Sequence, residues 1–165
     1  MEQLKLLKAN PKSAFGGSLL KGRRKSERPL SSKGVIHLVL KADNPHALLA
    51  NSKAVKETLE SYGLRFGLKT YGIVVHCDHV HLSIRIPSRA LYIRWIRAVA
   101  SVLVRRIRGF KWRFRPYTRT VTWGQAYKRL MAYLEFNQGE VNFILSAHKA
   151  AEAGREAIRR RVSAG

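Results

Sequence analysis

The chain is poor in three things: it has one cysteine, ten acidic side chains in 165 residues, and no long apolar run. A lone cysteine excludes an intrachain disulfide and leaves a reducing cytosol as the expected compartment. No segment approaches the roughly 18 apolar residues of a spanning helix. The opening "MEQLKLLKANPK" also lacks the apolar centre of a secretory leader, so no membrane partner is expected. The scarcity of acids matters most. Against ten Asp+Glu stand 32 Lys+Arg, a formal charge of +22. A domain so basic is suited to a polyanion, because each phosphate it neutralises releases condensed counterions. Nucleic acid is the partner this composition implies, against the plainer reading of a solvated basic surface on an unrelated enzyme. With 45% apolar residues, the chain is long enough for one domain with a real core.

Residues 1–33 carry "FGGSLLKGRRKSERPLSSKG" and read as a basic arm. Within it Arg23, Arg24 and Lys25 form a charge run that either stays solvated or clamps phosphates. "GVIHLVLK" (34–41) predicts a strand rich in β-branched residues. A helix is expected over "NPHALLANSKAVKETLESYGLRFG", with Leu48, Leu49, Val55 and Leu59 at helical spacing and Gly63 ending it. Strands over 68–75 and 79–86 flank a tight "HCD" connection. Leu91, Trp95, Ala98 and Leu103 mark one face of the next helix. A fourth strand falls near 118–122, and 124–140 reads as a helix stopped by Gly139. The tail has helical composition but a weak apolar stripe.

This order is that of an α+β, ferredoxin-like (RRM-like) split βαβ fold: an antiparallel sheet with helices on one face, plus a C-terminal tyrosine-bearing helix. The main domain is then 34–142, between the arm at 1–33 and a helix or tail at 143–165. The second sheet face is left free for chemistry.

In "HVHLSIRI", alternation puts His79, His81, Ser83 and Arg85 on one face and Val80, Leu82, Ile84 and Ile86 on the other. The split predicts a strand that buries its apolar face and presents its polar one. His79 and His81 then point the same way, close enough to share a metal ion, although an exposed histidine pair fits the same pattern. An ion held by two imidazoles needs at least one more ligand, preferably oxygen for magnesium or manganese. In "AYLEFNQG", Tyr133 and Asn137 are four apart and share a helix face. A tyrosine can attack a phosphodiester and become covalently linked to phosphate. Tyr127 has Met131, a poor ligand for a hard ion, at the same spacing and suits the core. Tyr133 also suits an aromatic that packs its helix on the sheet. His76, Cys77 and Asp78 make a weak zinc set and a better strand turn; His37 projects from the first strand and can face the site, though it suits core or edge better.

These motifs resemble the single-tyrosine HUH transposases of insertion sequences and REP-associated elements. The resemblance rests on "DHVHL" around residues 79–81, "YLEFNQGE" (133–140), "KGVIHLVLK" as first strand and "RFRPYTRTV" before the tyrosine helix. It spans about residues 22–142. Cys77 and Asp78 replace the family's usual Pro-Asn, and Glu135 stands where histidine is frequent. The resemblance implies that Tyr133 attacks single-stranded DNA to give a 5′-phosphotyrosine and a free 3′-hydroxyl. It further implies that His79, His81 and Asn137 hold Mg²⁺ or Mn²⁺, that hairpins or element ends are the substrate, and that two copies can pair as a homodimer. A bacterial protein at the cytoplasmic nucleoid follows from the same likeness.

For single strands the residues themselves offer Trp112, Phe114, Tyr117 and Trp123, interleaved with Lys111, Arg113, Arg115 and Arg119: stacking planes beside phosphate contacts. Trp123 is the one best suited to the core, while Arg85 lies on the polar strand face. Two other functions compete. One is a non-catalytic single-stranded DNA- or RNA-binding protein on the same fold. The other is a two-histidine phosphoesterase, for which "HLSI" (81–84) supplies one of two signatures and "HLVL" (37–40) lacks the hydroxyl.

Overall fold

A computed structural model of the chain describes residues 13–20, 27–44 and 46–162. Five strands, β1 (Ala14–Phe15), β2 (Val35–Lys41), β3 (Lys69–Val75), β4 (His79–Arg85) and β5 (Tyr117–Val121), form one antiparallel sheet in the order β1-β5-β2-β4-β3. Among the described residues four α-helices accompany them: α1 (Ala47–Ala50), α2 (Ser52–Arg65), α3 (Arg89–Arg106) and α4 (Gln125–Val162), besides a 3-10 turn at Gly17–Leu20. Strands β2 and β3, joined through α1 and α2, are separated by β4, the split arrangement expected from the element order.

Alternation gives the sheet two different faces. Ile36, Leu38 and Leu40 of β2 and Val80, Leu82 and Ile84 of β4 are buried together with Leu59 of α2 and Tyr92, Trp95, Val99 and Leu103 of α3. Tyr92 and Val99 thus take the inward places expected of Leu91 and Ala98. Helix α3 begins where Ser88 leaves helical geometry and its hydroxyl accepts the Leu91 N–H at 3.3 Å, an N-cap. The long helix expected after β2 is two helices that meet at Asn51, whose side-chain amide donates to the Ala47 carbonyl. Gly63 does not end α2; it is buried inside the helix, which stops at Phe66 before Gly67 at φ +69°.

The opposite face is covered, not free. Leu130, Leu134 and Val141 of α4 pack on Val35, Val74 and Val121. Close approach is possible because β3 has no side chain at Gly72, where an added Cβ would lie 3.2 Å from Leu134 Cδ1. Helix α4 runs through Gly139 without interruption, and beyond Val141 its side chains are exposed as far as they are described.

Part of the N-terminal arm is built into the sheet. Ala14 and Phe15 pair with Arg119 and Thr118 as a fifth strand, and Arg28 donates to the Pro116 carbonyl and the Thr118 hydroxyl, both at 2.7 Å. Arg23, Arg24 and Lys25 lie outside the described residues. Among the described residues no helix is long and apolar enough to cross a membrane.

Candidate active site

Register decides which polar residues meet beneath α4. In the β2–β4 ladder Lys41 faces His79, Val39 faces His81 and His37 faces Ser83; across β5, Val39 faces Tyr117 and His37 faces Arg119. All share the α4 face. There the expectation for β4 needs correction: its polar side is not presented to solvent. Ser83 is fully buried and His81 is 5% exposed. Burial is confined to the middle of that side, since His79 is half-buried and Arg85 exposed.

Four imidazoles form a chain across this face. His76 stacks on His79 with ring centroids 4.7 Å apart, and His79 meets His81 edge-on at 4.7 Å. His81 stacks against His37 at 5.3 Å, with His37 Nε2 3.1 Å from His81 Nδ1. Tyr133 descends from α4 with its ring 5.4 Å from His81 and 6.0 Å from His37. One turn further along α4, Asn137 is 6% exposed and its amide donates to the Tyr133 carbonyl at 2.6 Å. The structure therefore brings His79, His81 and Tyr133 together within a single chain, with Asn137 one turn from Tyr133 on the same helix.

The cluster also contains residues that sequence reasoning set aside. Asp78 accepts from His79 Nδ1 at 2.6 Å and pairs with Lys41 at 3.2 Å. Glu140 reaches His76 at 3.7 Å. Its signal was readable, since Glu140 lies two helical turns beyond Tyr133. For His37 the signal was its place on the strand face opposite Ile36 and Leu38.

Burial sets the protonation states. It holds the His81 imidazole down to about 2 and His37 down to about 4, from an ordinary 6.5, with neighbouring His37 and Arg119 adding to the respective shifts. For His79, burial lowers the value and outweighs the opposing hydrogen bond to Asp78. Burial pushes Asp78 up, but its bonds to His79 and Lys41 prevail and keep it below the usual value. The Tyr133 phenol is raised by burial, opposed by the Asn137 amide and reinforced by Glu140.

The residues fit a divalent cation. His81 Nε2 is buried without a hydrogen-bond partner, an unusual state for such an atom unless something else binds it. His79 has its Nδ1 engaged by Asp78, which leaves Nε2 for a ligand and fixes the ring as carboxylate partners of metal-bound histidines do. Asn137 donates with its nitrogen, and its oxygen is the atom that would serve a hard cation. Among the described residues no three His, Cys, Asp or Glu side chains are grouped as ligands; a third donor would have to be an amide oxygen. The His76–Cys77–Asp78 trio forms the turn, as expected.

The residues chosen for DNA contact divide. Lys111, Arg113 and Arg115 are exposed. The first two flank the site end of β2, where Asp43 N donates to Lys111 O and Arg113 N to Lys41 O. Tyr117 stands 6.4 Å from His37 at the rim, and Arg119 is half-buried with its Nε unpartnered. Trp112 is half-buried: its indole packs on Phe110 and donates to the Ala100 carbonyl at the core margin. Trp123, the expected core residue, is instead 46% exposed, its N–H on the Lys33 carbonyl. Arg85 lies at the far end of β4 from His79. With Lys33 and Lys69 it lines a cavity of about 390 Å³.

Comparisons with known proteins bear on this arrangement. No curated protein matches the chain. Among solved structures, a REP-associated tyrosine transposase bound to a REP hairpin matches with a TM-score of 0.53 at 12% identity, covering 71% of this chain and 73% of the other. A candidate transposase from Deinococcus radiodurans R1 aligns over 70% of this chain and 98% of its own, with a TM-score of 0.45 and 18% identity. At such identities the first likeness speaks for the fold alone. The sequence profile of IS200-like transposases matches residues 31–132, from the approach to β2 to the residue before Tyr133. That match spans well over half of the sequence and includes both histidines of β4, and by it the chain belongs to the IS200-like transposase family.

Proposed function

We propose that this protein cuts and rejoins single-stranded DNA through a phosphotyrosine made by Tyr133. The observation that carries the reading is the convergence of the Tyr133 ring on His81, at 5.4 Å, beside a buried histidine nitrogen with no partner. The Tyr133 oxygen bonds to phosphorus, the bond from phosphorus to the 3′-oxygen breaks, and the phenolic proton passes by way of water to that 3′-oxygen. One phosphodiester replaces another, so the bond energy is retained and a second DNA end can reverse the step. Because burial raises the phenol, the resting nucleophile is protonated and is activated only with substrate in place.

His79, His81 and Asn137 would hold Mg²⁺ or Mn²⁺, Asp78 orienting His79. When bound, the ion supplies charge that polarises the phosphate and offsets the developing negative charge. The chain's own residues do the rest. Helix α4 sets Tyr133 over His81, and Lys111, Arg113, Arg115 and Tyr117 guide the strand at its rim. Hairpins or element ends are the substrate, as suggested by the hairpin held by the structural relative, and the work is done at the nucleoid in the cytoplasm. Tyr133 sits over its own chain's histidines, so one copy has the full set and a homodimer is an added feature.

Labelled oligonucleotides incubated with protein and Mn²⁺ should give a covalent adduct on a denaturing gel. Tyr133→Phe should lose the adduct and keep DNA binding; an adduct that survives this change sinks the assignment. The second reading is a non-catalytic DNA- or RNA-binding protein, favoured by the absence of a His, Cys, Asp or Glu triad among the described residues. It predicts salt-sensitive binding and no adduct with any divalent ion.

A further inference from the structure

We infer that His37 is a positioning residue: from β2 it fixes the tautomer of His81 so that the Nε2 lone pair of His81 faces the ligand site. This rests on the proposed role of His81 as a ligand and adds a residue whose contact is with His81.

The geometry leaves few arrangements. His37 Nε2 and His81 Nδ1 are 3.1 Å apart, a hydrogen-bond distance. One proton lies between them, since two N–H groups would collide and two lone pairs would repel. If His37 donates, His81 carries its own proton on Nε2. That N–H would be buried with no acceptor, which costs a desolvation penalty and leaves no lone pair for a cation. If His81 donates from Nδ1, His37 Nε2 accepts, and the unpartnered His81 nitrogen becomes a free lone pair. Only the second arrangement makes chemical use of that nitrogen.

The two histidines of β4 are thus oriented by different acceptors. Asp78 serves His79 at the rim, where the carboxylate also reaches Lys41. His81 lies deeper, and there a neutral imidazole does the same task. A carboxylate at position 37 would bury a charge, whereas His37 faces Arg119 in register and is 5% exposed. The two rings also stack within 20° of parallel, so His37 holds the plane of His81 as well as its proton. Register makes the arrangement strict. His37 pairs with Ser83, one step diagonal to His81, and a one-residue slip would turn it to the opposite face.

The test is a long-range ¹H–¹⁵N correlation spectrum of metal-free, histidine-labelled protein, which reports the proton-bearing nitrogen of each ring. Wild type should show His81 protonated on Nδ1. His37→Phe removes the acceptor and should move that proton to Nε2, weakening Mn²⁺ binding by calorimetry about 10- to 100-fold. His37→Gln keeps an acceptor oxygen and should preserve the wild-type spectrum and most of the affinity, a distinction a purely packing role would not make. His81 protonated on Nε2 in the wild-type protein overturns the inference, as does a Phe variant with unchanged tautomer and affinity. If the tautomer responds as described but the wild-type protein binds no Mn²⁺, the role of His37 stands and the ligand role of His81 in the proposed function falls.

Discussion

Truncation of Leu134 to alanine should separate the tyrosine from the histidines without touching either. Leu134 is 3% exposed and is one of three buried α4 side chains, with Leu130 and Val141, that meet Val35, Val74 and Val121. Leu-to-Ala changes at such sites cost about 2–5 kcal/mol. The lower half applies here, since Met131 lies alongside and can relax toward the void. A loss of about 3 kcal/mol lowers the docking equilibrium constant of α4 by roughly two decades. The core beneath α2 and α3 is a separate cluster on the other sheet face and contains none of these residues. Hydrogen exchange by mass spectrometry should therefore show peptides from 125–141 losing protection by roughly 100-fold while β2 and β4 keep theirs. Adduct formation should fall in parallel, and DNA binding should fall less because Lys111, Arg113 and Arg115 lie outside α4. Equal loss of protection in β2, β4 and α4 would refute the reasoning, as would an unchanged adduct rate.

Other perturbations probe other links. Asp78→Ala removes the acceptor on His79 Nδ1 and should weaken Mn²⁺ binding about 10- to 100-fold by calorimetry; Asp78→Asn, which keeps an oxygen, should recover part of it. Stability should be flat above about pH 6.5 and fall on acidification, because unfolded His37 and His81 take up protons that the folded protein refuses. The window runs down to about 4 for His37 and about 2 for His81, with up to about 1.4 kcal/mol lost per pH unit for each. Urea midpoints between pH 8 and 4.5 test this, and greater stability in acid would contradict it. Replacing Lys111, Arg113 and Arg115 together by alanine should lower the log–log salt slope of single-strand binding by about 2, near 0.7 for each phosphate no longer neutralised. Gly72→Ala puts a Cβ 3.2 Å from Leu134 Cδ1 and should destabilise α4 by about 1 kcal/mol, seen as faster exchange over 125–141.

Much of the site was legible because its pieces are local. Alternation along 79–85 put His79 and His81 on one side of a strand, and a spacing of four put Tyr133 and Asn137 on one side of a helix. Such relations depend only on strand and helix periods. The aromatics of 110–123 were not legible in this way. Trp112 and Trp123 have similar basic and aromatic surroundings in sequence, yet one is held by the Ala100 carbonyl and Phe110 and the other stays half-exposed at the sheet end. Which tryptophan reaches the core margin is fixed by how α3 and the segment after it fold back.

The amino-acid order by itself determined the element succession, the two-sided strands, the basic character and the short-range pairs on which the proposed chemistry rests. Tertiary structure alone decided that α4 packs on the second sheet face, so that His81 and Ser83 of an expected open polar strand are buried. It also decided that His37, 44 positions before His81, becomes that residue's partner. The reason is that strand periodicity says which side a residue takes, whereas the neighbours on that side come from the register of β2 against β4 and from where a distant helix docks.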